Sequence, residues 1–509
     1  MAQSYIKRIL NARVYDVARE TPLDRAPLLS ARLHNEVFLK REDLQPVFSF
    51  KCRGAFNKMF QLDAAAREAG VIAASAGNHA QGVALAAEKL GISATIVMPM
   101  TTPAIKVDAV RARGAKVILF GDSYDEAAVR ADELVEQYGL TYIHPFDDPD
   151  VIAGQGTVAV EMVRQAPEPL DYVFVCCGGG GLLAGMAAYL RYVWPQSRII
   201  GVEPEDAACV QAALRQNRRV TLREVGLFAD GCAVAQAGKE TFRIIRECVD
   251  EVITVSTDEI CSAVKDIFED TRAIAEPAGA LAVAGMKKFS EECGVTGRTM
   301  AATISGANTN FDRLRYISER TEIGERREAI LSVTIPERPG AFRDFCSAIG
   351  KRNVTEFNYR FETDTAARVF VGLTVTSETE DLTELQRSLG KKGYRVLDMT
   401  DNETAKLHLR HMVGGRLSSE VRDEMVFRVE FPERPGSLLQ FLSVLGNEYS
   451  ITLFHYRNHG AAYGRILMGM EVPAGKRAAL RRALGQLGYR FWEETDNLAY
   501  REYLGREQA

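Results

Sequence analysis

The chain predicts an α/β region built on mostly parallel sheets, followed by two ferredoxin-like α+β domains. Three observations carry that expectation. Its 509 residues exceed what one hydrophobic core usually organises, so several domains are expected. Between roughly residues 70 and 310, short and continuously apolar runs alternate with longer helical patterns, as parallel strands covered by helices on both faces require. Beyond about residue 320 an internal repeat begins, with Pro336-Glu337-Arg338-Pro339-Gly340 returning as Pro432-Glu433-Arg434-Pro435-Gly436 about 95 residues later.

Taken in order, the strand candidates of the first region are Val71 to Ala74, Ala94 to Met98, Lys116 to Phe120, Tyr172 to Val175, Ile199 to Val202, Glu251 to Val255 and Met300 to Ile304. Residues Tyr172 to Leu190 carry no charge and approach the length of a membrane span, but five glycines interrupt them. They divide into a buried strand, a glycine loop and a helix starting near Leu182. Each repeat reads strand, Pro-Gly turn, helix, strand, strand, helix, strand, the ferredoxin-like order. The copies share an apolar helix (Phe342 to Ile349, Leu438 to Leu445), Tyr359-Arg360 and Tyr456-Arg457, and a closing Gly-Tyr-Arg with Thr-Asp-Asn. Met412 to Arg416 is the linker between them. Domains are expected at 1–322, 323–411 and 417–509.

Composition narrows the partners. A net charge of −5 over this length offers no electrostatic reason for nucleic acid or an acidic membrane surface. Nine cysteines without C-x-x-C spacing point to reduced thiols and to no metal site. Residues Met1 to Val17 mix charge among apolar residues and lack the apolar block of a secretory signal. A cytoplasmic protein is the expectation.

Four segments carry chemistry. Lys51 lies between Phe48, Phe50 and Arg53; a lysine held among aromatic groups favours the free amine that imine formation needs, whereas the fixed charge of Arg53 suits structure or charge balance. Viewed alone, Lys51 would be a solvated surface residue. Ser75-Ala76-Gly77-Asn78-His79 joins a strand to a helix, where unpaired N–H groups seat a substrate carboxylate; Ser75 or Asn78 could equally cap the helix, and His79 could be a packed histidine. Asn78 can donate to a phenolic oxygen because its amide is always neutral. The run Gly178, Gly179, Gly180, Gly181 offers backbone N–H groups to a phosphate, and a tight turn is its alternative. It matches neither the Walker motif nor G-x-G-x-x-G. Ser305, at a strand end, can face a pyridine nitrogen or cap a helix. Together these describe a lysine-bound pyridoxal phosphate.

On those motifs the chain resembles the fold type II (tryptophan synthase β-like) pyridoxal phosphate enzymes over residues 5 to 320. Ser305-Gly306-Ala307-Asn308 and Arg313-Leu314-Arg315-Tyr316 resemble the threonine dehydratase (threonine ammonia-lyase) branch, and the doubled tail resembles the two ACT-like domains of its long biosynthetic form. The resemblance implies β-elimination of L-threonine, or of L-serine, to the keto acid and ammonia. For threonine the product is 2-oxobutanoate, at the start of isoleucine synthesis. Isoleucine would inhibit, valine would oppose it, and the assembly would be a homotetramer. It implies Lys51 as Schiff-base lysine and α-proton base, Phe50 beside the cofactor, Asn78 on the phenolic oxygen, Gly178 to Gly181 with Leu182 on the phosphate, and Ser305 on the ring nitrogen. Ser75, Ala76, Gly77, Asn78 and His79 would hold substrate, and Tyr359 and Tyr456 would lie near effector. Cys52 stands where family members often have leucine. The competing readings are a serine/threonine dehydratase or racemase with a different regulator, and an amino-acid-binding regulatory protein whose catalytic half has decayed.

Overall fold

The structure, a computed structural model, describes every residue except 1, 122–123, 312, 325–327, 351, 361–365, 376–378, 403–404, 406–420, 433–436, 446–448, 458–462, 487–488, 498–499, 501–503 and 505–509. The linker at Met412 to Arg416 and most of the second Pro-Glu-Arg-Pro-Gly turn therefore lie outside the described residues. The chain divides into two units, Met1–Thr321 and Glu322–Ala509.

The first unit holds two sheets. In the larger, six strands run in the order Leu23–Arg25, Glu36–Arg41, Thr299–Ile304, Tyr172–Cys176, Arg198–Pro204, Glu251–Val255, all parallel except the first pair. In the smaller, Lys116–Leu119, Ala94–Met98, Val71–Ala74 and Thr141–Tyr142 are parallel throughout. Strands such as Val71–Ala74 are buried at every position, which explains why their sequences are continuously apolar rather than alternating. The helix Gly181–Val193 is buried along nearly its whole length inside this core, so its hydrophobicity serves packing. Among the described residues no helix is long and apolar enough to cross a membrane.

The second unit realises the strand–helix–strand–strand–helix–strand order twice. Its strands form one eight-stranded antiparallel sheet in the order Arg395–Asp398, Glu328–Pro336, Ala366–Thr374, Val354–Arg360, Ser450–Arg457, Tyr463–Glu471, Glu424–Pro432, Arg490–Glu493. The two copies are thus not separately closed sheets. Val354–Arg360 pairs with Ser450–Arg457, setting Phe357 opposite Tyr456 and Tyr359 opposite Phe454. Pairing these edges removes two unpaired strand borders and buries Phe342, Phe357 and Phe454 in one aromatic cluster shared by both copies.

Candidate active site

Parallel strands leave their carboxyl ends as the natural ligand face, and Ser75, Gly178 and Ser305 each follow such an end. Lys51 reaches the same place by a different route. Ser49 forms an isolated antiparallel bridge with Gly306, Phe50 N–H donates to the Ser305 carbonyl at 3.3 Å, and Ala307 N–H donates to the Phe48 carbonyl at 2.9 Å. The segment before Lys51 is thereby stitched to the turn after Ser305. Lys51 then opens the helix Lys51–Phe60. A Cβ on Gly82 would lie 3.0 Å from the Lys51 carbonyl carbon, so this helix packs backbone to backbone on Asn78–Leu90.

The Lys51 ammonium donates to the Pro145 carbonyl at 3.0 Å. Burial pushes its pKa down, against smaller upward pulls from Cys232, Cys176 and Glu276. The flanking aromatics are not the cause. Phe48 is 56% exposed, with its backbone turned left-handed at φ 54°, and the Phe50 ring, 5.3 Å from Nζ, modestly favours the charged form. The Pro145 carbonyl that meets Nζ belongs to the strap His144-Pro145-Phe146-Asp147. His144 Nδ1 accepts from the N–H groups of Phe146 and Asp147 at 3.2 and 2.8 Å, which leaves its proton on Nε2. Burial holds this ring neutral.

Phe146 continues the strap into the glycine loop. Any Cβ on Gly179 would meet its ring at 2.5 Å, and one on Gly181 would meet its Cβ at 2.9 Å. Gly180 takes φ 95°, and a Cβ on Gly178 would press on the Cys232 Cα at 2.9 Å. Four glycines in a row are therefore required on steric grounds alone. Thr241 Oγ1 donates to the Gly179 carbonyl at 2.7 Å, while Asp147 accepts from the first N–H groups of the helix Lys239–Cys248. The carbonyl of Gly179 is thereby engaged. Among the described residues, none of the backbone N–H groups from Gly178 to Leu182 donates to a protein acceptor. They form a nest for an anion at the start of the helix Gly181–Val193.

A second such seat opens at Asn78. The N–H groups of Ala76, Asn78, His79 and Ala80 have no protein acceptor among the described residues, while Gly77 N–H donates to Ser75 Oγ at 3.3 Å. The His79 ring is packed away, with Nε2 at 2.7 Å from the Ile143 carbonyl and its pKa pushed down to about 3 by burial and the Lys51 charge. Only its backbone N–H faces the site. The Asn78 side chain donates to Glu276 Oε1 at 2.6 Å and accepts from Asn308 Nδ2 at 2.7 Å. Ser305 is 3% exposed and its hydroxyl donates to the Ala278 carbonyl at 3.3 Å, a long bond that leaves it able to turn toward a ring nitrogen.

Arg53 lies elsewhere, as its fixed charge suggests. Its guanidinium is fully buried and pairs with Glu42 at 2.8 Å and Glu161 at 2.6 Å, and Lys40 completes the cluster at 2.7 Å from Glu161. Burial pushes the neighbouring Cys52 thiol up to about 12, which keeps it inert. Tyr359 and Tyr456 lie in the second unit, both buried in the shared sheet, with the Tyr359 hydroxyl donating to Glu337 at 2.6 Å. Glu337 lines a crevice of ≈ 20 Å³ together with Phe342, Leu442, Ile451 and Met470.

Comparison with known proteins agrees with this geometry. The pyridoxal-phosphate dependent enzyme family matches residues 14–306, and the C-terminal regulatory domain of threonine dehydratase matches residues 319–409 and 415–504. The biosynthetic L-threonine dehydratase IlvA of Burkholderia multivorans is 53% identical over 506 residues, 99% of each chain. That of Escherichia coli is 51% identical over 500 residues, 98% of this chain and 97% of its own. The chain belongs to the biosynthetic threonine dehydratase family of pyridoxal phosphate enzymes. Among solved structures, the processed threonine deaminase isoform 2 of Solanum lycopersicum is similar at 48% identity with a TM-score of 0.62, over 63% of this chain and 93% of that one. Serine racemase from Dictyostelium discoideum is similar at 31% identity and a TM-score of 0.56, over 60% of this chain and 99% of its own.

The chain is a pyridoxal phosphate-dependent lyase, and its residues fit that cofactor. Five N–H groups that have no protein acceptor among the described residues could hold a phosphate, a half-buried amine of lowered pKa could hold the aldehyde, and the buried hydroxyl of Ser305 stands at a strand end. Sequence reasoning missed the strap His144 to Asp147 and Glu276, and it named Asn308 within the Ser305 motif without giving it a role. The run of His, Pro, Phe and two Asp was the one visible signal, since such a cluster after a short apolar strand marks a structured turn.

Proposed function

We propose that the protein eliminates water from L-threonine, and more generally from β-hydroxy amino acids such as L-serine. Threonine would yield 2-oxobutanoate and ammonia, at the head of isoleucine synthesis. The observation that carries this reading is identity of about half along nearly the full chain with biosynthetic threonine dehydratases, joined to an assembled lysine, glycine-loop and serine site. When bound, pyridoxal phosphate supplies an aldehyde for amine capture and an electron sink that lets the α-hydrogen leave as a proton. Lys51 would hold that aldehyde and, when free, would take the α-proton on Nζ; burial lowers its pKa, which favours the free amine for both tasks.

The nest from Gly178 to Leu182 would hold the phosphate, Asn78 would donate to the phenolic oxygen, and Phe50 would flank the ring. Ser305 would offer the ring nitrogen a neutral hydroxyl. Unlike a carboxylate, it would not hold that nitrogen protonated, which would suit elimination of the β-hydroxyl. The turn from Ser75 to His79 seats the substrate carboxylate on its N–H groups. Water lost as hydroxide and proton is regained when the released enamine hydrolyses, so the net products are one keto acid and one ammonia.

Regulation is read from the repeats at 323–411 and 417–509. Isoleucine would inhibit, valine would oppose it, and a cytoplasmic homotetramer would carry both effects. The crevice beside Glu337 holds little more than one water, so an aliphatic amino acid must part Phe342, Leu442 and Ile451 to enter. Tyr359, tied to Glu337, and Tyr456, in the adjoining strand, would move with that opening. An effector that widens the crevice thereby distinguishes two states of the shared sheet, the requirement for coupling of about 1–3 kcal/mol. The test mixes cofactor-loaded protein with L-threonine and follows 2-oxobutanoate with and without isoleucine. Suppression by isoleucine that valine reverses, and its loss on deleting residues 325–509, are the expected results. No 2-oxobutanoate would overturn the reaction, and inhibition surviving the deletion would overturn the location of the effector.

A further inference from the structure

Glu276 precedes the helix Pro277–Cys293 at the position where side chains usually cap, yet its carboxyl makes no capping bond. It is 3% exposed and turns into the active site instead. Oε1 accepts from Asn78 Nδ2 at 2.6 Å, and the Glu276 N–H donates to the Gly306 carbonyl at 3.1 Å. Room for the carboxyl exists because residue 306 is glycine: a Cβ there would lie 2.6 Å from Oε1. A buried carboxyl aimed into a site, with no cap and no ion pair among the described residues, calls for a role that helix stability does not supply.

The hydrogen-bond chain fixes its polarity. The Val47 carbonyl can only accept, so Asn308 must face it with its NH2 group, at 2.8 Å. The same Nδ2 donates to Asn78 Oδ1 at 2.7 Å, so the oxygen of the Asn78 amide is committed to Asn308. Its nitrogen is then committed to Glu276 by one hydrogen, and the second hydrogen is left for the site. Among the described residues, only Glu276 holds the nitrogen end of that amide.

We propose that Glu276 is a positioning residue: it anchors the amide of Asn78 so that the remaining N–H is presented to the phenolic oxygen of the bound cofactor. The proposal rests on the reading of Lys51 and Asn78 given above. It also makes that donor sensitive to pH. Burial first, then Asp230, push the Glu276 carboxyl up to about 7, while Asn78, Lys106 on the helix Ala104–Arg111 and the Asn308 N–H pull it down. Lys51 and the Cys176 thiol also lie within its field. Above its pKa the carboxylate pulls strongly on Asn78 and favours a proton on the Lys51 nitrogen; below it, both influences weaken.

The experiment records the absorption band of the bound cofactor across pH for the wild-type holoenzyme, Glu276→Gln, Glu276→Ala and Asn308→Ala, alongside kcat and KM. Gln keeps an acceptor for Asn78 but cannot ionise, so its band should hold near the wild-type position and lose the step near neutral pH. Ala should displace the band at every pH and lower kcat about ten- to a hundredfold, with KM nearly unchanged. Asn308→Ala, which releases the other end of the same amide, should displace the band in the same direction. Bands and pH profiles of all three variants superimposable on wild type would overturn the proposal. No visible band in the wild type would instead overturn the reading of Lys51, and this proposal with it.

Discussion

Lys51 and Arg53 lie two residues apart on one helix, and their charges are handled in opposite ways. Arg53 is met by two buried carboxylates and a second cation, a cluster of matched charge with every guanidinium nitrogen engaged. Lys51 is met by a backbone carbonyl and feels Glu276 only at a distance, with no carboxylate in ion-pair reach among the described residues. Arg53 is cut off from water and Lys51 is half-buried, but only Arg53 is compensated. Burial pushes Lys40 down as well, but there the charges of Glu161 and Glu42 pull back, whereas no carboxylate among the described residues lies in ion-pair reach of Lys51.

The sharpest break in this comparison is chemical. Lys51→Ala should abolish turnover of L-threonine by the cofactor-supplied protein while the far-ultraviolet circular dichroism stays that of the wild type. Arg53→Met should do the reverse in kind. It leaves Glu42 and Glu161 buried with one cation between them, so a loss of about 3–5 kcal/mol is expected in denaturant unfolding. The smallest effect concerns the uncompensated charge itself. Because folding depresses the Lys51 pKa below its ordinary 10.5, the folded chain disfavours the proton, and the penalty is fully present at pH below the folded value. It fades as pH rises toward 10.5. Lys51→Met should therefore stabilise the cofactor-free protein at neutral pH, by about 1.4 kcal/mol for each unit of depression, and the gain should vanish at alkaline pH.

Legibility in the sequence followed the range of each interaction. The glycine loop, Lys51 and Ser305 announce themselves because a strand end, a short motif and a helix start are adjacent in the chain. The parallel strands from Val71 to Ile304 are readable because burial on both faces removes polar residues from them. Glu276 was not readable, since its partner Asn78 is 198 residues away and a single glutamate before a proline resembles an ordinary helix start. The Pro145 carbonyl left no signal because a backbone group has no residue identity. In the second unit, duplication revealed the order of elements, but the edge pairing of Val354–Arg360 with Ser450–Arg457 depends on which borders meet. For the same reason the burial of Tyr359 and Tyr456 followed only from the joined sheet.

The uncompensated lysine, rather than any other amine, is proposed to carry the cofactor. Treating the holoenzyme with borohydride, digesting it and locating the pyridoxyl group by mass spectrometry tests this directly. A single modified peptide carrying the group on Lys51 is the expected result; the group on Lys40, Lys58 or any other lysine, with Lys51 unmodified, would contradict it.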